Sequence, residues 1–489
     1  MRFNTLLIFR IASSILIFAG IAMVVPFGFA CWFSEYSAAT SFFIMSMVCI
    51  LFGAAIRRLF PASDQVIQSK EGYITVLLSW FLVILVGATP YYWADMGYSF
   101  IDCFFESCAG WTTTGATVMD YSHMPKSLIL WKVVSSWFGG MGIIVLTTSI
   151  FPRLGIGGQR MAATEIPGPQ LEKLTARFGD TAKIIYSIYL LLTVVEFLLL
   201  LPSDMDVYLA LVNTRSTVST AGIIDLSSAQ EHFVITPYIK TILAVFSITS
   251  SVSFMSYFLV AIGRFRDAFR NAEVQTFFRV ILGAGVLMSF FLYADGVYDT
   301  YLSALGNGIV QSISFCTTTG FIIDDLSGWP VFCQLVLFIL ALVGGCSFST
   351  SGGMKIIRFK VMLRLIQRGL FKRIHPRSIK PIMIQKKPVS AQSASSIAAF
   401  LMLYFGIFMV SAIIISLDNY DLETTFSAAM ACLTNNGTGF GRMTGSDFSI
   451  FSLPVRLYMI VLMLCGRLEI YGILILLSPS YWNSDRTKT

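Results

Sequence analysis

Short runs of hydroxyl and amide side chains end in glycine at four places in this 489-residue sequence. The runs read TTTG, STAG, TTTG and TNNG, and their glycines are Gly115, Gly222, Gly320 and Gly437. Carbonyl oxygens can replace the water around a monovalent cation, and glycine lets a carbonyl turn inward without steric cost. One such run is typical of an ordinary loop, but four at intervals of 98 to 117 residues predict an internal repeat.

The elements around these runs are apolar. The chain is 56% hydrophobic and only 12% charged, which excludes an ordinary soluble domain, since such domains carry about 25% charged residues. Each polar run is preceded by a segment that is too short to cross a bilayer. Longer apolar segments lie before the short segment and after the polar run. The sequence predicts ten crossing segments: 6–33, 38–56, 73–94, 127–151, 184–202, 233–263, 277–294, 329–345 (continuing weakly to 371), 395–417 and 453–479.

Non-helical backbone at membrane depth is tolerated only inside protein or beside water. Four re-entrant loops that converge on one axis satisfy this rule by lining a pore. We therefore predict an all-α polytopic membrane protein. It has four pseudo-fourfold repeats of span, re-entrant pore helix and span around one pore, plus two extra N-terminal transmembrane helices. The predicted units are 1–60 (two N-terminal helices), 61–165 (pore repeat 1), 166–270 (repeat 2), 271–390 (repeat 3, with a broken second span and a basic cytoplasmic segment) and 391–489 (repeat 4).

The distribution of charge predicts the orientation. With a cytoplasmic N-terminus, Lys and Arg concentrate in the inner segments and Asp and Glu in the outer ones, as the positive-inside rule requires. The densest basic segment is 354–387, with eleven Lys or Arg and no acid. It is read as an orientation signal beside anionic membrane lipid or as a docking site for a cytoplasmic partner. Its position beside the membrane disfavours a role in nucleic-acid binding.

Two interruptions stand out in the predicted spans. The run GGCSFSTSGGMK at 344–355 contains too many small residues to hold a straight helix well, although a cytoplasmic helix end is an alternative. Arg467 lies near the middle of the predicted span 453–479, where a charge is costly and usually functional. A structural pairing within the bundle is the alternative for it. At 1.5 Å per residue, Arg467 and Gly345 reach similar depths, about 21 and 24 Å, so we predict that Arg467 approaches the carbonyls or hydroxyls of 345–353.

At these residues the chain resembles the superfamily of K+ transporters that includes TrkH, KtrB, Trk and HKT proteins. The two additional N-terminal spans resemble the TrkH branch. The resemblance implies that one glycine from each loop contributes to a K+ selectivity filter, and glycine in all four loops implies K+ rather than Na+. The fourth loop departs from the family pattern because Thr438 follows its glycine, where the family often has proline. The implied filter residues are Thr112, Thr113, Thr114, Gly115, Val218, Ser219, Thr220, Ala221, Gly222, Cys316, Thr317, Thr318, Thr319, Gly320, Leu433, Thr434, Asn435, Asn436 and Gly437.

The same resemblance implies a gate, a location and partners. An intramembrane loop below the filter would obstruct the path. Its residues here would be Gly345, Cys346, Ser347, Ser349, Thr350, Ser351, Gly352 and Gly353, together with Arg467. The protein would be a homodimer in the bacterial inner membrane, regulated by a cytoplasmic nucleotide-binding subunit of the TrkA type. No nucleotide is expected on this chain, which lacks GxxxxGK[ST] and a convincing GxGxxG. K+ is the expected cargo.

Two other classes of protein are alternatives to this interpretation. A secondary-active symporter that couples K+ to H+ or Na+ would favour inverted repeats and intramembrane acids at a midplane site. Here each predicted repeat begins on the inner side, although coupling through the same filter stays open. An enzyme is not expected, because the sequence has no His/Asp/Glu cluster, nucleophile motif or metal-ligand spacing.

Overall fold

The computed structural model describes residues 5–60, 69–145, 178–203, 205–222, 235–322, 324–377, 381–384, 387–443 and 446–482. The predicted all-α membrane class is confirmed. Within the described ranges the only paired strands are two antiparallel strands of two residues each, Met383–Ile384 and Lys387–Pro388, at the end of the predicted basic segment.

Long apolar helices form the body of the protein. Among the described residues, six helices are long and apolar enough to cross a membrane, or seven if a bent pair counts as one span. Most of the ten predicted segments correspond to one helix, and the others are divided at a break. The helices that correspond to the predicted crossing segments are Thr5–Ala22 with Val24–Trp32, Tyr36–Leu59, Ser69–Trp93, Lys126–Val145, Phe178–Leu200, Pro237–Ser251 with Phe254–Ala261, Ala272–Ala294, Val331–Val343 with Ile356–Ile374, Ala391–Ile415, and Leu453–Arg467 with Tyr471–Leu477.

Four further helices, here called short helices 1 to 4, precede the polar runs. They are 12 to 16 residues long, or about 18–24 Å, and cannot cross a hydrocarbon core of about 30 Å. The N-termini of three of them are capped by a side-chain oxygen: Ser99 accepts from Asp102 N, Asp206 from Leu209 N, and Thr300 from Ser303 N. The short helices are Phe100–Trp111, Val207–Ser219, Tyr301–Cys316 and Leu422–Leu433.

Each short helix packs between the two spans of its own predicted repeat. It also packs against the second span of the preceding repeat. Short helix 2 contacts Lys126–Val145, short helix 3 contacts Pro237–Ser251, and short helix 4 contacts Val331–Val343. Short helix 1 contacts Leu453–Arg467, the second span of the last repeat. The four units therefore close into a ring, and the two N-terminal spans pack against the outside of the first unit.

Two predictions of continuous spans are wrong. The segment 233–263 is divided into two helices that are bent by 86° around 252–253. In the segment 453–479, the helix ends at Arg467, and the left-handed residues Glu469 and Ile470 separate it from Tyr471–Leu477. Arg467 therefore occupies a helix C-terminus, where the dipole favours a cation, rather than the middle of a straight helix.

The proposed unit boundaries are only partly covered by the described residues. The boundary at 61 and the one at 165–166 fall in 61–68 and 146–177, which lie outside the described residues, as does residue 489. The boundary at 270–271 lies between the five-residue helix Phe265–Phe269 and the helix Ala272–Ala294. The boundary at 390–391 coincides with Ser390, which caps the helix that begins at Ala391.

Other helical elements are short. In the described part of the chain they are the α-helices Phe265–Phe269 and Pro479–Trp482 and the 3-10 turns Leu326–Gly328, Ser416–Asp418 and Gly441–Met443.

Candidate functional site

The four polar runs lie at the C-terminal ends of the short helices and are called loops 1 to 4. They comprise residues 112–115, 218–222, 316–320 and 433–437, and all of them are described by the structure. Each loop is buried in the interior of the ring of helices, apart from a small exposed fraction at Gly115 and Gly222. All the residues predicted for the filter therefore lie together, although they come from positions more than 300 residues apart in the chain.

One backbone conformation recurs in every loop. The N–H of the residue before the glycine donates to the carbonyl five residues earlier, as in a Schellman turn; in loop 1, Thr114 N donates to Ala109 O at 2.9 Å. The residue two before the glycine is left-handed, with φ between 54° and 56°. Such a φ is a genuine outlier for β-branched threonine, and such strain clusters at functional sites. The four left-handed residues are Thr113, Thr220, Thr318 and Asn435.

The glycines of the four loops also have positive φ, between 73° and 81°, and they contact one another's loops in cyclic order. A Cβ added at Gly115 would lie 1.8 Å from Ala221 O in loop 2. A Cβ at Gly320 would lie 2.0 Å from the oxygen of Asn436 in loop 4. No side chain fits at these distances, so the close approach of the loops requires glycine.

The cycle is completed by the other two glycines. A Cβ at Gly437 would lie 1.7 Å from Thr114 O, which returns from loop 4 to loop 1. At Gly222 the neighbouring oxygen is Thr319 O, at 3.2 Å, so loop 2 is less tightly packed against loop 3. In every case the facing oxygen belongs to the residue just before the next glycine. The ring is therefore bordered by the four carbonyls of residues 114, 221, 319 and 436.

Some hydroxyl and amide groups of the loops bind to one another, and others bind to backbone carbonyls nearby. The Oγ1 atoms of Thr112 and Thr114 are 2.8 Å apart, and those of Thr317 and Thr319 are also 2.8 Å apart. Asn435 replaces a threonine in loop 4 and donates from Nδ2 to Thr114 Oγ1 at 2.9 Å. Loops 1 and 4 are thus joined by a side-chain hydrogen bond as well as by the contact of their backbones.

The chain segment 344–355, called the interrupting loop, lies against the ring on the side of the short-helix ends. Gly352 N donates to Thr318 Oγ1 at 2.7 Å, and Gly353 N donates to Thr434 O at 3.1 Å. Thr350 Oγ1 donates to Val218 O at 3.3 Å. The interrupting loop therefore contacts loops 2, 3 and 4.

Arg467 makes the contact that the sequence predicted. Its Nη1 donates to Thr350 O at 2.8 Å, and its Nη2 donates to Gly139 O at 3.1 Å. The side chain is buried. The fork of the guanidinium thus joins the interrupting loop to the second span of the first repeat.

The remaining residues predicted for the gate are fixed within the same loop or to its neighbours. Gly345 O accepts from Ile356 N at 3.0 Å, and Cys346 N donates to Ser251 O at 3.1 Å. Ser349 Oγ donates to Cys346 O at 2.5 Å and lies 2.7 Å from Ser351 Oγ. These bonds give the non-helical backbone the partners that it needs away from water.

Several residues at this site were not found from the sequence. Glu273 accepts from Ser347 N at 2.6 Å, and Ser251 Oγ donates to Thr317 O at 3.3 Å. Lys355 donates to Ser351 O. Glu273 is a charged residue four positions before the predicted span 277–294, and Lys355 is the last residue of the run 344–355, so each had a signal that could have marked it. Gly139 takes part through its backbone carbonyl, a role that its residue type does not reveal.

The fold and the buried ring define the class: a polytopic membrane protein with a polar ring of loops in its interior. The TrkH family model, described as a cation transport protein, matches residues 38–485, and the chain belongs to this family.

Individual relatives agree with this family assignment. The chain is 32% identical over 420 residues to the Trk system potassium uptake protein TrkH of Salmonella typhimurium, covering 85% of this chain and 86% of that protein. It is 30% identical over 472 residues to the Trk system potassium uptake protein TrkG of Escherichia coli, covering 95% and 96%. The crystal structure of the potassium transporter TrkH from Vibrio parahaemolyticus superposes with a TM-score of 0.88 at 28% identity, covering 98% of this chain and 100% of that one.

Proposed function

We propose that this chain mediates K+ uptake across the bacterial inner membrane through the ring formed by loops 1 to 4. The observation that carries the proposal is the ring itself, in which four glycines and four carbonyls alternate around one axis. Carbonyl oxygens of this kind can substitute for the hydration shell of K+. The relatives named above as potassium uptake proteins support K+ as the cargo.

The backbone carbonyls are the groups that face the ion in this proposal. Within loop 1, and likewise within loop 3, two threonine hydroxyls bind to each other and hold the strained turn in place. Close packing at Gly115, Gly320 and Gly437 fixes the separation of the loops. Selectivity for K+ over Na+ then follows from a ring that does not contract around the smaller ion.

The interrupting loop and Arg467 form the gate. The loop contacts three of the four filter loops, so an ion that passes the ring meets it next. Arg467 holds Thr350 across the path and adds a positive charge that opposes a resident cation. Opening requires that these hydrogen bonds be exchanged for others.

The opening signal comes from the cytoplasmic side in this proposal. The protein works as a homodimer with a nucleotide-binding regulatory subunit of the TrkA type, and its N-terminus is cytoplasmic. The helix Ile356–Ile374 directly follows the interrupting loop and is rich in Lys and Arg. It exposes Leu363, Ile366 and Leu370, which suits a surface that a partner or the lipid interface contacts. A pull on this helix would reach the gate through Lys355 and Ser351.

Flux of Rb+ and Na+ into proteoliposomes tests the proposal, with the regulatory subunit added or omitted. The wild type should admit Rb+ and exclude Na+, and Gly115→Ser should erode that preference. Gly97→Ser is the matched control: Gly97 also has positive φ, 78°, but an added Cβ would meet nothing within 4 Å. Absence of Rb+ flux under both conditions would overturn the pore, and coupling to a proton or Na+ gradient would favour a symporter.

A further inference from the structure

A buried ion pair lies directly behind loop 1. Lys132, in the helix Lys126–Val145, places its Nζ 2.6 Å from Glu106 Oε1 in short helix 1. The side chains are 4% and 0% exposed. Both charges are removed from solvent beside the ring, where an ionic group is costly unless it is fully paired.

The carboxylate of Glu106 has a full set of partners. Tyr121 OH donates to Oε1 at 2.7 Å, Thr117 Oγ1 donates to Oε2 at 3.0 Å, and Val118 N donates to Oε2 at 3.3 Å. These residues belong to the segment that leaves loop 1. Glu106, in short helix 1, therefore anchors the segment that follows Gly115 in the chain.

Lys132 makes a second contact, and this one reaches the ring. Its Nζ donates to Ala116 O at 2.7 Å, and Ala116 directly follows the glycine of loop 1. A backbone carbonyl that accepts from a buried ammonium is turned towards it and held there. The orientation of the peptide after Gly115 is thus set by Lys132.

The equivalent carbonyl is held by different chemistry in other repeats. In loop 3, Phe321 O accepts from Gln311 Nε2 at 3.1 Å and from Ser314 Oγ at 2.6 Å. In loop 4, Thr438 O accepts from Asn436 Nδ2 at 3.1 Å. The residue nine positions before each glycine is Glu106, Asn213, Gln311 and Ala428 in turn. Among the described residues of these four loops, only loop 1 is held by an ion pair.

Resting on the proposed function, we propose that Lys132, oriented by Glu106, is a positioning residue for ion selection. It holds Ala116 O away from the ring, so that the carbonyls before Gly115 keep their separation. Neutral side chains do this in loops 3 and 4, whereas loop 1 uses a charged donor that its carboxylate partner neutralises. A selectivity ratio reports this role, because the ratio does not depend on how much protein is folded.

The test compares Rb+/Na+ flux ratios in proteoliposomes and thermal stability for four variants. Lys132→Met removes the donor to Ala116 O and should lower the ratio by about fivefold, the effect expected for one hydrogen bond. Glu106→Gln/Lys132→Met removes both charges, so it should recover stability but not selectivity. Lys132→Arg keeps both the charge and the donor and should retain the wild-type ratio. Tyr121→Phe removes the hydroxyl that donates to Glu106 and accepts from Lys132 but leaves the bond from Lys132 to Ala116 O, so it should give a smaller loss.

Arg456→Gln is the matched control. Arg456 pairs with Asp102, on the same short helix, but Arg456 donates to Asp102 and Ser449 O and not to Ala116 or Glu106. The ratio should stay at the wild-type value in this control. An equal loss in Arg456→Gln would overturn the inference, and so would a wild-type ratio in both the double variant and Tyr121→Phe. In either case a selective wild type would leave the proposed function standing. A wild type without selective Rb+ flux would overturn both.

Discussion

The ring of loops 1 to 4 and the interrupting loop are both non-helical and buried, but they are built differently. The ring has the same backbone conformation four times, and glycine backbones in contact with carbonyls set its dimensions. Among the described residues, the interrupting loop occurs in the third repeat only. It has one equally close glycine contact, since a Cβ at Gly352 would lie 1.9 Å from Thr434 O, but its other links to the surrounding helices are polar and include those of Arg467 and Glu273. Steric contacts cannot be exchanged for water, whereas hydrogen bonds can.

This difference separates two tasks within a few ångströms of each other. A repeated, sterically fixed ring suits the selection of an ion, because its size does not change between states. A single polar loop suits opening and closing, because each of its bonds has an alternative partner in water or protein. Substitutions should therefore change selectivity in the ring and flux in the interrupting loop.

The largest effect is expected at the tightest glycine. Gly437→Ala places a Cβ where Thr114 O now lies, and its positive φ alone costs about 1–2 kcal/mol for a residue with a side chain. The Rb+/Na+ flux ratio should fall by about tenfold or more. Gly222→Ala shares the positive φ but has 3.2 Å of space, so it should lose much less. Equal losses at both positions would show that contact between the loops does not set selectivity.

Arg467→Ala should have the next largest effect, and on flux rather than selectivity. The change removes hydrogen bonds to Thr350 O and Gly139 O, each worth about 1.5–3 kcal/mol for a charged donor. Rb+ flux without the regulatory subunit should rise by about tenfold at an unchanged Rb+/Na+ ratio. Arg467→Lys keeps the charge but cannot form the fork, and it should be intermediate. Flux identical to wild type would contradict the role of Arg467 in the gate.

A smaller change is expected at the start of the interrupting loop. Glu273→Gln keeps an acceptor for Ser347 N but removes its charge, which roughly halves the strength of such a bond. Flux without the regulatory subunit should rise by about threefold. Glu273→Asp is the control, since it keeps the charge but shortens the reach. A change in the Rb+/Na+ ratio in Glu273→Gln would mean that the two regions are not separate.

The smallest effect is expected where the loop region meets solvent. Glu469 pairs with Arg358 at 2.5 Å, and its side chain is 48% exposed. The Arg358 side chain is only 10% exposed, but glutamine keeps an acceptor for it. Since pairs open to solvent contribute about 0–1 kcal/mol, Glu469→Gln should change flux by no more than about twofold. The change should shrink further in high salt, where the pair is screened. A larger effect that persists in high salt would place Glu469 in the gate itself.

The repeated parts of the site were the most predictable from sequence. A run of small polar residues ending in glycine predicts a helix end with positive φ, and four such runs predicted four equivalent units. The depth of Arg467 also led to the segment 345–353, which contains its acceptor Thr350 O. Each of these inferences depends on local sequence and spacing. The positive φ follows from the residues of one turn, and the depth of Arg467 follows from its position along one span.

The parts that the sequence did not predict depend on contacts between distant segments. The bend after Ser251 has neither glycine nor proline to mark it. It is stabilised by two bonds with the interrupting loop: Phe254 N donates to Phe348 O, and Ser251 O accepts from Cys346 N. The pairing of Lys132 with Glu106 joins helices whose relative rotation a sequence pattern does not fix. The left-handed residues Glu469 and Ile470 break an apolar run that reads as one helix.

The central claim is that the four loops form one ion-binding ring. Anomalous diffraction from crystals of the full chain grown in Rb+ tests it most directly. We predict anomalous density on the axis between the carbonyls of Thr114, Ala221, Thr319 and Asn436, and its loss in Gly437→Ala. Density bound at one loop alone, or none near these carbonyls while Rb+ is transported, would contradict the account.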